Sequence, residues 1–258
     1  MQARQHPDLS IVQAESEGGV LKVEQVREVR RTLALKPYQA KYRIALFLRF
    51  QEANDSAANA LLKTLEEAPA YAILLLTADA PEQLLPTIVS RCEVLRLRPS
   101  KMEDVERELE SRGVESGQAR LIAHVSGGRA GFALRVAEDD SFLEVRQALL
   151  DDLQRLLSAS RVKKFDYAEK LSKDKEAMRQ ALLVWLSYWR DVLLRASGAS
   201  APIANIDREQ EIAALAGTLQ LSGACRLVQE IELSLERLEH TVNPRLLAEV
   251  ILLDLPHV

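Results

Sequence analysis

Arg27, Arg30 and Arg31 fall at i, i+3 and i+4, a spacing that puts three permanent cations on one helix face, where they could meet DNA phosphates or simply stay solvated. Other reactive side chains are scattered. The histidines, His6, His124, His240 and His257, lie too far apart to suggest pairs of metal ligands, and no HExxH occurs. Cys92 and Cys225 form no CxxC, so neither a disulfide framework nor a zinc module is expected, and a reducing compartment suits them. None of the 10 glycines precedes a lysine, which removes the GxxxxGK[ST] loop that wraps a nucleotide triphosphate in backbone N–H groups. There is no GxSxG elbow. A self-contained active site is therefore not expected. Trp185, Tyr188 and Trp189 stand at helical spacing and are read as core rather than as a platform for stacking bases.

The elements that would position such groups follow from length and pattern. At roughly 150 residues per domain, 258 residues suggest about two domains and more than one packed core. Apolar residues make up 47% and charged residues 28%, a globular composition. With Lys+Arg 34 against Asp+Glu 38, the net charge of -4 argues against binding nucleic acid mainly through bulk positive charge. The apolar runs Tyr71–Thr77 and Ala181–Leu186 are too short to span a bilayer, and MQARQHPDLS lacks a signal-peptide core, so a cytoplasmic protein without membrane contact is expected. Leu9–Ala14, Arg43–Leu48, Tyr71–Thr77 and Glu93–Leu97 read as four strands. Val23–Leu35 and Asp55–Glu67 read as helices between them, with Asn54 or Asp55 as cap and Pro69 after the end. Alternation of this kind predicts an α/β domain with a mostly parallel sheet over residues 1–98. Three short segments punctuated by Gly113, Gly117 and Gly127-Gly128 make a small helical unit, 99–139. From 140 to 258 the pattern is all helical: Phe142–Leu157, a short helix near Tyr167–Leu171, Lys175–Leu194, Arg208–Leu215, Ser222–Leu238 and Asn243–Leu253, with Gly198–Asn205 as the one long break.

One region carries a specific pattern. Ala57-Ala58-Asn59-Ala60-Leu61-Leu62-Lys63-Thr64-Leu65-Glu66-Glu67-Ala68-Pro69 precedes the strand Ile73-Leu74-Leu75-Leu76-Thr77, and then comes Pro86-Thr87-Ile88-Val89-Ser90-Arg91-Cys92. Together they resemble the clamp-loader branch of the AAA+ proteins. The likeness extends weakly to His6-Pro7-Asp8, Gln25-Val26-Arg27 and Asn243-Pro244-Arg245-Leu246, and so covers essentially the whole chain. The resemblance implies a partial AAA+ sheet domain, a three-helix lid and a helical collar, assembled in a five-subunit ring whose ATP sites lie at subunit boundaries. It implies that Arg91 reaches as an arginine finger into the neighbour's ATP and Mg²⁺, a role that suits a forked, permanently charged guanidinium. The alternative for Arg91 is a surface ion pair, for example with Glu93. Ser90, Asn59, Lys63, Glu66 and Glu67 are candidate interface residues and Thr77 a candidate sensor, each also readable as plain surface or strand end. Implied partners are the ATPase subunits, the delta-type subunit, the sliding clamp indirectly, and primer-template DNA through the complex of the replicative DNA polymerase.

Departures from the family pattern are equally informative. The acidic pair that would hold Mg²⁺ at the end of the second strand falls on Leu48 and Arg49; a leucine offers no oxygen ligand and an arginine repels the cation. Gly131 stands where the lid's nucleotide-sensing Arg is found, with Arg129 two residues early. These substitutions point to a subunit that donates an arginine and binds no cofactor itself. Only five residues precede His6-Pro7-Asp8, where the family has a strand, the phosphate loop and often a zinc module, so the expectation is an incomplete version of a longer protein. An active ATPase whose nucleotide-binding segment is missing is the competing reading.

Overall fold

The computed structural model describes residues 6–15, 19–240 and 242–256; His257 lies outside them. It divides into two compact units, Met1–Leu97 and Arg98–Val258.

Among the described residues of the first unit, three strands form one parallel sheet in the order β1 (Leu9–Val12), β2 (Arg43–Phe47), β3 (Ala72–Leu76). The register runs from Leu9 opposite Ile44 to Val12 opposite Phe47, and from Arg43 opposite Ala72 to Phe47 opposite Leu76. Parallel neighbours need crossovers, supplied here by α1 (Val23–Leu33) and α2 (Asp55–Glu67). Helix α1 buries Val26, Val29 and Leu33, a stripe of helical period. Helix α2 starts where the Asn54 side chain accepts from the Ala57 N–H at 2.8 Å, so Asn54 rather than Asp55 is the cap. It ends at Ala68, forced into an extended conformation by Pro69. Its inner face, Ala57, Ala58, Leu61 and Thr64, is buried. The centre of this core is Phe47 and Phe50, packed edge to face at 5.4 Å.

Asp8 fastens the entry to β1. Its carboxylate accepts backbone N–H bonds from Tyr38 at 2.7 Å, Gln39 at 2.7 Å and Ala40 at 2.8 Å, and Arg43 lies 3.7 Å away. The Tyr38 bond leads in holding this carboxyl down from its ordinary 3.8 to about 2, with Ala40, Gln39 and Arg43 adding and burial opposing. A depressed acid stabilises the fold fully above its unfolded pKa, and that stabilisation disappears as pH falls from about 4 to about 2. Asp8→Asn is therefore expected to lower the urea midpoint at neutral pH and to flatten the loss of stability across that window, as followed by circular dichroism.

The fourth expected strand does not form. Glu93–Leu97 pairs with no strand among the described residues, and Val94, Leu95 and Leu97 are exposed, Leu97 at 95%. Val94, Leu95 and Leu97 give this short run a strand-like look, but a ladder also needs a neighbouring edge in register. The first strand is also shorter than expected, stopping at Val12 rather than Ala14.

The second unit is wholly helical among its described residues. Helices α4 (Met102–Ser111), α5 (Ser116–Ser126) and α6 (Ala130–Glu138) enclose Val105, Leu109, Ile122, Ala133 and Val136. Between α5 and α6, Gly128 has φ +77° and its carbonyl accepts from the Ser100 N–H at 2.8 Å; a Cβ there would meet the Ser100 carbonyl oxygen at 2.2 Å, so only glycine fits. The remaining helices are α7 (Ser141–Leu157), α8 (Arg161–Leu171), α9 (Lys175–Ala196), α10 (Glu209–Glu239) and α11 (Pro244–Asp254). Helix α8 begins well before the expected Tyr167. The two helices expected as Arg208–Leu215 and Ser222–Leu238 run almost continuously as α10, broken at Gln220 with φ +57° and ψ 175°. Trp185, Tyr188 and Trp189 are fully buried, as their spacing suggested. The Trp185 Nε1–H donates to the Leu149 carbonyl at 2.9 Å, and the Tyr188 hydroxyl accepts from Gln154 at 2.6 Å.

The Gly198–Asn205 break is pinned by side chains. Buried Arg146 donates from both Nη atoms to the Asp207 carboxylate at 2.9 and 2.7 Å, and from Nη2 to Asn205 at 2.7 Å. Asp191, buried within α9, accepts from the Asn205 N–H and Nδ2–H, both at 2.7 Å, and from the Ala204 N–H at 3.1 Å. No helix among the described residues is long and apolar enough to cross a membrane.

Candidate functional site

Parallel α/β sheets expose their chemistry beyond the carboxyl ends of the strands, so the residues following β2 and β3 decide what the first unit can do. Leu48 and Arg49 follow β2 and are half-buried. Arg49 adopts the left-handed conformation, φ +51°, and its guanidinium pairs with Glu52 at 2.9 Å. A divalent cation needs several oxygens at about 2.0–2.6 Å. What stands after β2 is an aliphatic side chain followed by a cation already on a carboxylate.

Thr77, directly after β3, uses its hydroxyl within the fold. Its Oγ1 accepts from the Arg49 N–H at 2.9 Å, while its backbone N–H and carbonyl bond Phe47 and Phe50 at 2.9 and 2.8 Å. Gln51 then reaches Asp79 at 3.0 Å. Residues after β2 thus hold the start of the connection that carries the finger candidate. Thr77→Val removes the acceptor that satisfies Arg49 in its strained backbone and is expected to cost about 1 kcal/mol in urea unfolding, the usual net worth of one such bond.

Arg91 lies just beyond the short helix α3 (Pro86–Val89), whose Ile88 is buried and seats it on the core. Its Nε–H donates to Glu66 Oε1 at 2.5 Å, and Nη1 donates to the Thr87 carbonyl at 3.0 Å and to Ser90 Oγ at 3.3 Å. The carboxylate partner of Arg91 is therefore Glu66, at the end of α2, and not Glu93. Both side chains stay open to solvent, Arg91 at 37% and Glu66 at 49%. Ser90 Oγ also donates to the Thr87 carbonyl at 3.2 Å, closing a turn around the guanidinium. Cys92 is half-buried against the core, and burial raises its thiol pKa.

The other candidates share the exposed side of α2. Asn59, Lys63, Glu66 and Glu67 are all exposed, opposite buried Leu61 and Thr64, and Lys63 pairs loosely with Glu67 at 3.9 Å. The structure brings only Glu66 of this group onto Arg91. Sequence reading put both residues among the candidates but missed their pairing, because a bond across 25 positions leaves no local spacing signal. Arg27, Arg30 and Arg31 are exposed on α1, with Arg31 near Glu28 at 3.5 Å. In the second unit, Gly131 sits near the start of α6 with open space where a Cβ would be. Arg129 folds back, donating to the Ser126 carbonyl at 2.8 Å and lying over the Phe132 ring. The weaker motifs have local duties. The Asn243 side chain caps α11 with Pro244 at its first position, and Gln25 bonds Lys22 and Gln13 at 2.9 Å each.

Comparison with known proteins matches residues 1–101 to the family described as DNA polymerase III, delta subunit, and residues 140–257 to DNA polymerase III, delta subunit, C terminal. The DNA polymerase III subunit delta-prime of Escherichia coli K12 is 32% identical over 262 residues, covering 100% of this chain and 76% of that protein. Its counterpart from Bacillus subtilis is 28% identical over 192 residues, covering 73% of this chain and 57% of that protein. Taken with the parallel sheet and the Ser90-Arg91-Cys92 turn, these matches define a clamp-loader subunit of the AAA+ class. Within that class, the chain belongs to the delta-prime family of bacterial DNA polymerase III. A gamma subunit-related protein of DNA polymerase III from Thermotoga maritima superimposes with a TM-score of 0.47 at 18% identity, over 98% of this chain and 84% of that one.

Proposed function

We propose that this chain is a non-hydrolysing member of a cytoplasmic clamp-loader ring that lends Arg91 to ATP and Mg²⁺ held by a neighbouring ATPase subunit. Through the ring it would act with a delta-type subunit to place the sliding clamp on primer-template DNA. The observation that carries the reading is the state of Arg91: a guanidinium at the surface, tethered on one side, with Nη2 given no protein partner among the described residues. An arginine so placed can meet phosphate oxygens from outside its own subunit through the two N–H groups of Nη2. Leu48 and Arg49 support the second half of the reading, since nothing directly after β2 can take a hard cation.

The test is a comparison of ATP turnover. The full-length protein purified alone is expected to hydrolyse no ATP in the presence of Mg²⁺, and to raise turnover when added to the ATPase subunits of the complex. Mg²⁺-dependent hydrolysis by the protein alone, lost on mutation of its own strand ends, would overturn the reading in favour of an active ATPase.

A further inference from the structure

The contacts of Arg91 differ in what they can fix. Thr87 and Ser90 belong to the same short turn, so their bonds to Nη1 shape the side chain but move with it. Helix α3 has 4 residues, too few to hold a direction by itself. Glu66 is different. It stands on the last turn of a 13-residue helix that buries Ala57, Ala58, Leu61 and Thr64, and its 2.5 Å bond to Nε is the one hydrogen bond given to the Arg91 side chain from outside its own turn among the described residues.

Building on the donor reading above, we propose that Glu66 is a positioning residue for Arg91. By taking Nε it fixes the plane of the guanidinium relative to α2 and the sheet, and so presents Nη2 to the neighbour's phosphates. With Nε on Glu66 and Nη1 on Thr87 and Ser90, the two N–H groups of Nη2 remain for a phosphate to accept. Half-exposure of both partners keeps the bond weak enough for the guanidinium to remain available, yet directional enough to favour one orientation. A charged group misplaced by about 1 Å loses much of its effect on a transition state, so orientation appears in the rate of the chemical step.

The experiment uses the complete reconstituted ring with Glu66→Ala, Glu66→Gln, Arg91→Ala and the Glu66→Ala/Arg91→Ala pair. Assembly is checked by gel filtration and folding by circular dichroism. Glu66→Ala is expected to lower kcat for ATP about tenfold with KM for ATP unchanged. Glu66→Gln, whose amide oxygen still accepts from Nε, is expected to keep about half of the wild-type rate or more. On the Arg91→Ala background, Glu66→Ala is expected to add nothing. Wild-type turnover in Glu66→Ala, with Arg91→Ala slow, overturns the positioning role and leaves the donor reading standing. An undiminished Glu66→Ala effect on the Arg91→Ala background also overturns it, because Glu66 would then act by another route. Unchanged turnover in Arg91→Ala removes both.

Discussion

Arg91→Ala is expected to leave the ring assembled and to slow ATP turnover at the one neighbouring site by roughly 10³-fold, the lower end of what donated guanidiniums contribute in GTPases. Two magnitudes separate this outcome from a stability effect. The pair lost with Glu66 is exposed at 37% and 49%, and such pairs are worth about 1 kcal/mol at most, so the fold survives. Removing a cation from a dispersed phosphoryl charge in a closed site costs several times as much. Arg91→Lys sharpens the test: it keeps the charge but loses Nε and the fork, so an intermediate rate is expected. Single-turnover measurements on a ring whose other sites are disabled would isolate the effect. A site that turns over normally with alanine at this position removes the mechanism.

The largest expected loss of stability lies in the other unit. Arg146→Ala should destabilise it by about 3 kcal/mol, the lower end of the range for breaking a buried ion pair, because Asp207 retains 24% of its side-chain exposure and can partly rehydrate. Both carboxylate oxygens of Asp207 and the side-chain Oδ1 of Asn205 lose their donor at once. The readout is selective, since Trp185 and Trp189 are the only tryptophans and both lie in this unit's core, so their fluorescence reports its unfolding in urea. Replacing Arg146 and Asp207 together by apolar residues of similar size should recover much of the loss. Equal stability of wild type and Arg146→Ala would show that the network merely decorates the loop.

Local chemistry explains which parts of this architecture were legible in the sequence. Helix α2 could be read from its apolar stripe, Asn54 and Pro69, all within reach of one another along the chain. The aromatic trio of α9 was equally plain, since helical spacing and size dictate burial together. Glu93–Leu97 was misread because the same composition that favours a strand cannot supply its partner edge. The Gly198–Asn205 segment was legible as a break between helices, but not its fastening by Arg146 and Asp191, whose bonds span 13 to 61 positions and leave no periodic trace. Thr77 was legible as a hydroxyl at a strand end, but that it accepts from the Arg49 N–H was not, because no spacing rule announces the left-handed backbone of Arg49.

By itself the sequence determined most of the helices and the central strands, that no P-loop motif occurs and that Leu48 and Arg49 stand where acidic residues would, and the candidate finger at Arg91, since each rests on residue type or on spacing of a few positions. Tertiary structure alone decided that Arg91 rests on Glu66, that Asp8 latches a loop some thirty residues away, and that among the described residues three strands rather than four form the sheet. Those outcomes depend on which distant groups the packed chain brings within hydrogen-bonding reach, and a bond of less than 3 Å between remote residues has no counterpart in their order along the chain.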